Sequence, residues 1–255
     1  KRHAAGGRSA RENIADLLDE GSFSEIGAHV IAAQRSTAKE SDLIDRSAAD
    51  GVVVGTGMVG DVSVAVIAVD YSVMAGTQGY FHHHKVDRVL EIASRRGLPL
   101  ILYPEGGGGR PNDTDPLNLS IAGLNITSFH RLAAHAENHP TIAVVHGFCF
   151  AGSAAFAAVA DVIIGTHHAY IGMGGPAMIE GGGLGTFKPE EVGPPSVHAK
   201  NGVLDYIATD EASATSFAKQ VLSVLSGSLE KSRPPAEFDL TSQMPINRKI
   251  VFDVR

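Results

Sequence analysis

Apolar and polar positions along the chain fall into two rhythms. Short β-branched or apolar runs, bounded by glycine or proline, occupy residues 51–58, 62–71, 98–103, 141–146 and 161–166. Their length and residue types predict strands. Between them the apolar spacing is helical, over 81–95, about 118–137 and 150–160. It is helical again over 210–226, where Ala214, Phe217, Ala218, Val221, Leu222 and Leu225 share one face. At the start, residues 9–20 predict an amphipathic helix, with Ser9 and Glu12 at capping-box spacing. Residues 29–48 are polar and weakly patterned and predict a loop. Residues 227–247, rich in Gly, Ser and Pro, predict a linker. Strands alternating with helices imply βαβ crossovers, hence an α/β fold with a mostly parallel sheet. No internal repeat is visible.

Size and composition narrow the classes. A chain of 255 residues can bury one large core, and 44% hydrophobic with 19% charged residues is ordinary for a soluble globular protein. A net charge of −7 gives no basic footprint for nucleic acid. One cysteine excludes an intrachain disulfide framework and a Cys-only zinc site. Cys149 sits in an apolar run and reads as a small buried hydrophobe. No run of 18 apolar residues predicts a membrane span, and no signal peptide is recognisable. The expected location is therefore the cytoplasm or an organelle matrix. The chain opens Lys1-Arg2-His3 without Met and closes Val251-Phe252-Asp253-Val254-Arg255, so a piece of a longer polypeptide is expected.

The candidate chemistry lies at three glycine-rich turns, each after a strand. The third follows Val144-Val145-His146-Gly147-Phe148-Cys149-Phe150 and reads Ala151-Gly152-Ser153-Ala154-Ala155-Phe156. A buried strand, a tight turn and a helix of small residues direct backbone N–H groups outward, an arrangement that binds oxyanions. The first turn is Met74-Ala75-Gly76-Thr77-Gln78-Gly79, and the second is Glu105-Gly106-Gly107-Gly108-Gly109-Arg110. In open α/β sheets ligands bind beyond the carboxyl ends of the strands, so the three turns predict one pocket walled mostly by backbone. Successive glycines let a ligand approach the main chain, although a merely flexible loop is the plain alternative. A fourth element, Tyr170-Ile171-Gly172-Met173-Gly174-Gly175-Pro176, predicts a strand, a turn and a proline at a helix N1 position.

Side chains add little around these turns. His82, His83 and His84 diverge by about 100° each on a helix, so they cannot converge on one metal ion, and no metal is expected. His82 and Lys85, at i and i+3, share a face. They can meet a phosphate or adenine, or form a plain solvated face. Ser153 follows a glycine, but Ala151-Gly152-Ser153-Ala154-Ala155 lacks the flanking glycines of a nucleophile elbow, and no base or acid is placed beside it.

Taken together, these residues resemble the N-terminal domain of a biotin-dependent acyl-CoA carboxyltransferase, within the crotonase-like superfamily. The resemblance rests on Gly7-Arg8-Ser9-Ala10-Arg11-Glu12, Leu17-Leu18-Asp19-Glu20-Gly21-Ser22-Phe23-Ser24-Glu25, Asp50-Gly51-Val52-Val53-Val54-Gly55-Thr56-Gly57, and Gly76-Thr77-Gln78-Gly79 with His82 and Lys85. It continues through Glu105-Gly106-Gly107-Gly108-Gly109-Arg110 and Gly174-Gly175-Pro176, so it covers the chain to about residue 225. It implies a crotonase-like ββα-superhelix fold over 1–226. Residues 227–255 would then lead into a homologous C-terminal domain beyond Arg255. Biotin, carried on a separate domain or subunit, would supply the base as well as the carboxyl group. The protein would hold the enolate oxygen of an acyl-CoA through the amides of Ala151 and Gly152. Substrate contacts implied by the match are Gly79, His82, Lys85, Gly107, Gly108, Gly109, Arg110, Gly174 and Gly175. Implied partners are acyl-CoA, a biotin carboxyl carrier domain and the C-terminal domain of a partner subunit in a homo-oligomer, with no nucleic acid and no membrane. Biotin carboxylase and carrier regions before Lys1 would make the whole a multidomain carboxylase.

Three positions depart from the family pattern. Ala151-Gly152 stands where two glycines are usual. Gly193-Pro194-Pro195 replaces a gly-gly-ala turn and removes two N–H donors. The Glu105 loop lacks the usual aspartate and serine. Rival assignments are a crotonase-type hydratase or isomerase, a non-catalytic assembly domain of the same fold, and a Clp-like serine peptidase. The first needs an acid on the helix after the oxyanion turn, and 153–160 contains none.

Overall fold

The computed structural model describes residues 2–3, 7–111, 113, 115, 126–227 and 247. Seven strands form one sheet in chain order: β1 (Ser24–Ile26), β2 (Val52–Val59), β3 (Val62–Val69), β4 (Leu100–Tyr103), β5 (Thr141–Phe150), β6 (Val162–Gly172) and β7 (Tyr206–Ala208). β1, β2 and β3 pair antiparallel. From β3 to β7 every pairing is parallel. The helices are α1 (Ala10–Leu17), α2 (Glu40–Arg46), α3 (Tyr80–Arg96), α4 (Ser128–Ala136), α5 (Gly152–Ala158), α6 (Pro176–Gly181), α7 (Pro195–Asn201) and α8 (Glu211–Leu225).

Period-two alternation divides the core between the two faces of the sheet. Ala65, Ile67 and Val69 of β3 pack with Val86, Val89, Leu90 and Ala93 of α3, Leu132 of α4 and Phe156 of α5. Val64, Val66 and Ala68 face the other way, onto Ile14 and Leu17 of α1 and Ala214, Ala218 and Leu222 of α8. Covering on both faces explains why the strands read as unbroken apolar runs.

The sequence places these elements well, with instructive exceptions. α1 begins with Ser9 and Glu12 in a reciprocal capping box. The predicted strands at 141–146 and 161–166 continue to Phe150 and Gly172, because β5 and β6 pair on past a register shift between Val145 and Gly147. Gly147 takes φ +87° there. α2 lies inside the expected loop at 29–48, and the three-residue strands β1 and β7 carried no periodic signal. The helix expected at 118–137 is described over α4 alone, since 116–125 lie outside the described residues. The expected linker at 227–255 also lies outside them, apart from Gly227 and Asn247. No helix among the described residues is long and apolar enough to cross a membrane.

Candidate functional site

The parallel strands β4 and β5 end at the same edge, and the chain leaving each of them runs into a glycine turn. Beyond β4, the loop 104–110 is stitched on both sides. Gly106 donates to Phe148 O at 2.6 Å and accepts from Phe150 N at 2.8 Å, which extends pairing with β5. On the other side Gly108 O accepts from Gln78 N at 3.0 Å, and Gln78 O accepts from Arg110 N at 2.8 Å. The first and second turns therefore touch backbone to backbone. A Cβ on Gly106 (φ +96°) would stand 2.6 Å from Ala75 O, so only glycine permits this approach.

The third turn meets them. A Cβ on Gly108 would stand 3.0 Å from the Ala151 Cβ and 3.4 Å from Gly152 N. A Cβ on Gly152 would run into the Gln78 amide, closest to its Oε1 and 3.0 Å from its carbon. Ser153 fixes the junction from below. Its buried hydroxyl donates towards Glu105 O and Gly107 O, each at 3.0 Å. With its hydroxyl engaged and no base beside it, Ser153 is a structural tie rather than a nucleophile.

Ala151, one of the two expected donors, turns its amide into the fold. Its φ of +50° and ψ of −117° belong to a turn position dominated by glycine. Its N–H donates to Gly172 O at 2.9 Å. That amide is engaged within the fold, and of the expected pair only Gly152 keeps an N–H without a partner among the described residues. The first amides of a helix have no i−4 carbonyl. The N–H groups of Gly107, Gly108 and Gly109 likewise make no hydrogen bond to the described residues, so two turns with unpartnered amides meet where Gly108 faces Ala151 and Gly152. Gly175 precedes α6, where a Cβ would stand 3.4 Å from the Phe150 ring, and Gly174 faces Met178 of that helix.

Gly79, His82, Lys85 and Arg110 form a separate, closed constellation. Asp113 accepts from Tyr80 N at 2.7 Å and Asp50 from His82 N at 2.8 Å, so two carboxylates already satisfy the start of α3. An anion of a ligand would compete with both. Arg110, only 4% exposed at its side chain, lies between Asp50 and Asp113 and donates to Thr77 O at 2.8 Å. A Cβ on Gly79 would strike that guanidinium. The Lys85 ammonium donates to Ala49 O at 2.8 Å and to Val52 O, and burial pushes its pKa down to about 8. It thereby holds Ala49 and Asp50 in their left-handed conformations (φ +53° and +50°). His82 is fully buried, both its ring nitrogens lack partners, and burial drives its pKa well below the usual imidazole range. His82, Lys85 and Arg110 are buried, and Lys85 and Arg110 bond to the chain around the first turn. Spacing put His82 and Lys85 on one face correctly, but that face is the buried one.

The histidine run disperses as its helical geometry requires. His83 meets Ser128 Oγ at 3.0 Å, while the His84 ring lies against Tyr80. Among the described residues no three His, Cys, Asp or Glu side chains are grouped to hold a metal. Cys149 is buried, and its thiol is pushed up by the loss of solvent.

Glu105 points away from the turns. Its carboxylate pairs with both terminal nitrogens of Arg2, at 2.8 and 2.6 Å, and burial raises its pKa to about 7. Arg2 also approaches Glu211, which in turn lies 3.7 Å from His146. At the Gly193-Pro194-Pro195 departure, Pro195 opens α7 and Pro194 caps it. Proline at a helix start removes N–H groups that have no helical acceptor, so the fold tolerates the change. Gln78, buried between the first and third turns, carried one signal in the sequence: a long polar side chain inside a turn otherwise made of Met, Ala, Gly and Thr.

A carboxyl transferase domain model matches residues 1–255. The chain is 34% identical over 238 residues to the propionyl-CoA carboxylase beta chain of Saccharopolyspora erythraea, covering 92% of this chain and 42% of that one. It is 30% identical over 267 residues to the methylmalonyl-CoA carboxyltransferase 12S subunit of Propionibacterium freudenreichii subsp. shermanii, covering 100% of this chain and 49% of that one. Among solved structures, a single-chain, multi-domain long-chain acyl-CoA carboxylase superposes with a TM-score of 0.81 at 52% identity, over 87% of this chain and 22% of that one. The transcarboxylase 12S structure with methylmalonyl-CoA and methylmalonic acid bound gives 0.72 at 29% identity, over 87% and 42%. The chain thus spans less than half the length of these curated relatives.

Proposed function

The chain belongs to the carboxyl transferase domain family, and on that premise we propose that it is the acyl-CoA-holding half of a biotin-dependent carboxyltransferase. The observation that carries the proposal is the convergence of the Gly152 amide with the Gly107, Gly108 and Gly109 turn, in a place where no side-chain base stands. Residues 153–160 carry no acid, and the one hydroxyl there is engaged. A hydratase or isomerase on this fold needs a proton-moving acid at that helix, so the transferase assignment is the better match.

The chain's own residues have a limited task. The Gly152 N–H, with an amide from the loop beyond β4, would receive the thioester oxygen as it gains charge. Such donors act strongly because they are fixed before the reaction and shielded from water. The turn stays fixed because Ser153, Gly106 and Gln78 clamp its backbone. Biotin, when bound on its carrier, supplies the carboxyl group and the base that the site lacks. The described residues fit that division of labour: unpartnered amide donors are present and a competing base is not. The turn at Gly174 and Gly175 would border the approach of the group, and the partner domain would hold most of it.

We infer a long acyl chain for the substrate, since identity rises from 34% with the propionyl-CoA enzyme to 52% with the long-chain one. The complete function would need the remainder of the family architecture, a biotin carrier and a second carboxyltransferase domain. The test is ATP-dependent fixation of labelled bicarbonate by the intact protein on propionyl-CoA and palmitoyl-CoA. Acid-stable label in the acyl-CoA is expected, greater with palmitoyl-CoA. Turnover of an enoyl-CoA without biotin, or no label on either thioester, would overturn the assignment.

A further inference from the structure

We propose that Glu105 and Arg2 are positioning residues for the carboxyl-transfer site, a latch that sets where the Gly107–Gly109 turn stands against Gly152. The inference rests on the carboxyltransferase assignment and adds to it two side chains that touch no reacting atom. Glu105 is the point at which the turns are joined. Its carbonyl accepts from Ser153 Oγ at 3.0 Å, and a Cβ on Gly76 would stand 2.8 Å from the same oxygen, so the first and third turns both bear on it. The next residue, Gly106, pairs with β5, and Gly107 follows. A fixed Glu105 side chain therefore fixes the start of the turn.

That side chain is held from outside the turns. The Arg2 guanidinium grips the carboxylate with both terminal nitrogens, at 2.8 and 2.6 Å, in a planar fork that sets direction as well as distance. Arg2 is itself anchored: its O accepts from Gly7 N at 3.1 Å, and its Nε donates to Arg8 O. Glu211 lies 3.6 Å from Arg2 and accepts from Arg8 N at 2.6 Å and from Asn13 Nδ2 at 3.0 Å. Residues ahead of α1, with the start of α8, thus hold one end of the fork. Room for the other end comes from Gly147, where a Cβ would strike Glu105 Oε1. Stability does not account for the arrangement, because apolar residues of similar volume in place of a buried ion pair are often neutral or stabilising. An apolar pair would lack the fork.

The test compares the intact wild-type protein with the double variant Arg2→Met, Glu105→Met, which keeps the stems and removes both charges. Carboxylation kcat and KM are measured with palmitoyl-CoA. Amide hydrogen exchange is followed at Gly106, whose N–H bonds to Phe148 O beside the latch, and at Val66, paired on both sides within the sheet. A fall in kcat of about tenfold or more is expected, since a small misplacement of a positioned group is costly. KM should change little, and the melting temperature should stay or rise. Gly106 should lose protection while Val66 keeps it, the mark of local release rather than general loosening. Wild-type kcat in the folded variant, a loss confined to KM, or equal protection at Gly106 would overturn the proposal. Should the double variant fail to fold, Arg2→Lys takes its place: it retains the charge but not the fork, and the same readouts should move in the same direction. If the wild type fixes no carboxyl on either thioester, the reaction assignment falls and exchange decides alone. Protection lost at Gly106 then keeps the latch, and equal protection sinks it.

Discussion

The Ala151 amide donates to the Gly172 carbonyl at 2.9 Å while Ala151 itself holds φ +50°. One bond therefore ties the end of β5 to the end of β6 and fixes the angle at which Gly152 presents its N–H. The geometry also separates two roles that a Gly-Gly pair would have hidden. The first residue spends its amide inside the fold, and the amide of the second has no partner among the described residues.

From that separation it follows that Ala151→Gly should stabilise the protein. Relief of a left-handed conformation is worth about 1–3 kcal/mol, offset by the larger unfolded-state entropy of glycine, about 0.4–1 kcal/mol. A rise of about 2–4 °C in the melting transition of this domain is expected, with carboxyl transfer retained. Calorimetry decides it: a lower transition temperature would mean that the alanine is not strained.

Gly152→Val should behave in the opposite way. Its added carbons meet the Gln78 amide and displace it, while the backbone of the turn stays clamped by Gly172 and Ser153. Carboxyl transfer should fall by about 10²-fold or more with the fold intact by circular dichroism. A folded Gly152→Val protein with wild-type turnover would remove the turn from the chemistry.

Lys85 provides a test of the arrangement at α3. In Lys85→Met the carbonyls of Ala49 and Val52 lose their buried donor, which should destabilise the domain by about 1–3 kcal/mol. Acyl-CoA affinity of the folded protein should not change. Titration calorimetry showing a tenfold weaker palmitoyl-CoA complex at unchanged stability would restore Lys85 as a ligand contact.

Much of the architecture was legible because burial on both faces forces long apolar strands, and these have no other plausible home. The sheet, α1 with its capping box, α3 and α8 follow from that rule. The short edges β1 and β7 carry too few residues for a period to show. The site was legible at the level of turns and not of side chains. The three glycine turns do converge, because each terminates a strand or strand pair at the same end of the sheet. The direction of His82, Lys85 and Arg110 depended on Asp50 and Asp113, which lie 32 and 31 positions from His82 and which no local pattern links to it. The φ of Ala151 was equally out of reach, since alanine there contradicts local propensity and persists only through Gly172 and Ser153. Gln78 was hidden for a simpler reason: a polar residue in a turn reads as solvated until its burial is seen.

Glu105 should leave a signature in the pH dependence of stability. Burial raises its pKa from an ordinary value near 4.5 to about 7, against the opposing pull of Arg2. Glu211 and Asp70 add to the rise, and His146 lies on the far side of Glu211. Between pH 4.5 and 7 the folded state therefore binds more protons than the unfolded state at this group. The contribution of Glu105 is complete below about 4.5 and is lost as pH rises through about 7, with a slope of at most about 1.4 kcal/mol per pH unit. His83, whose pKa burial lowers to about 4, acts in the opposite direction over pH 4–6.5, so the wild-type profile alone does not isolate Glu105. The comparison with Glu105→Gln does, because His83 is common to both proteins. From pH 4.5 to 7 the wild type should lose stability relative to Glu105→Gln, read as diverging denaturation midpoints. Parallel profiles would mean that Glu105 stays ionised throughout, held by Arg2.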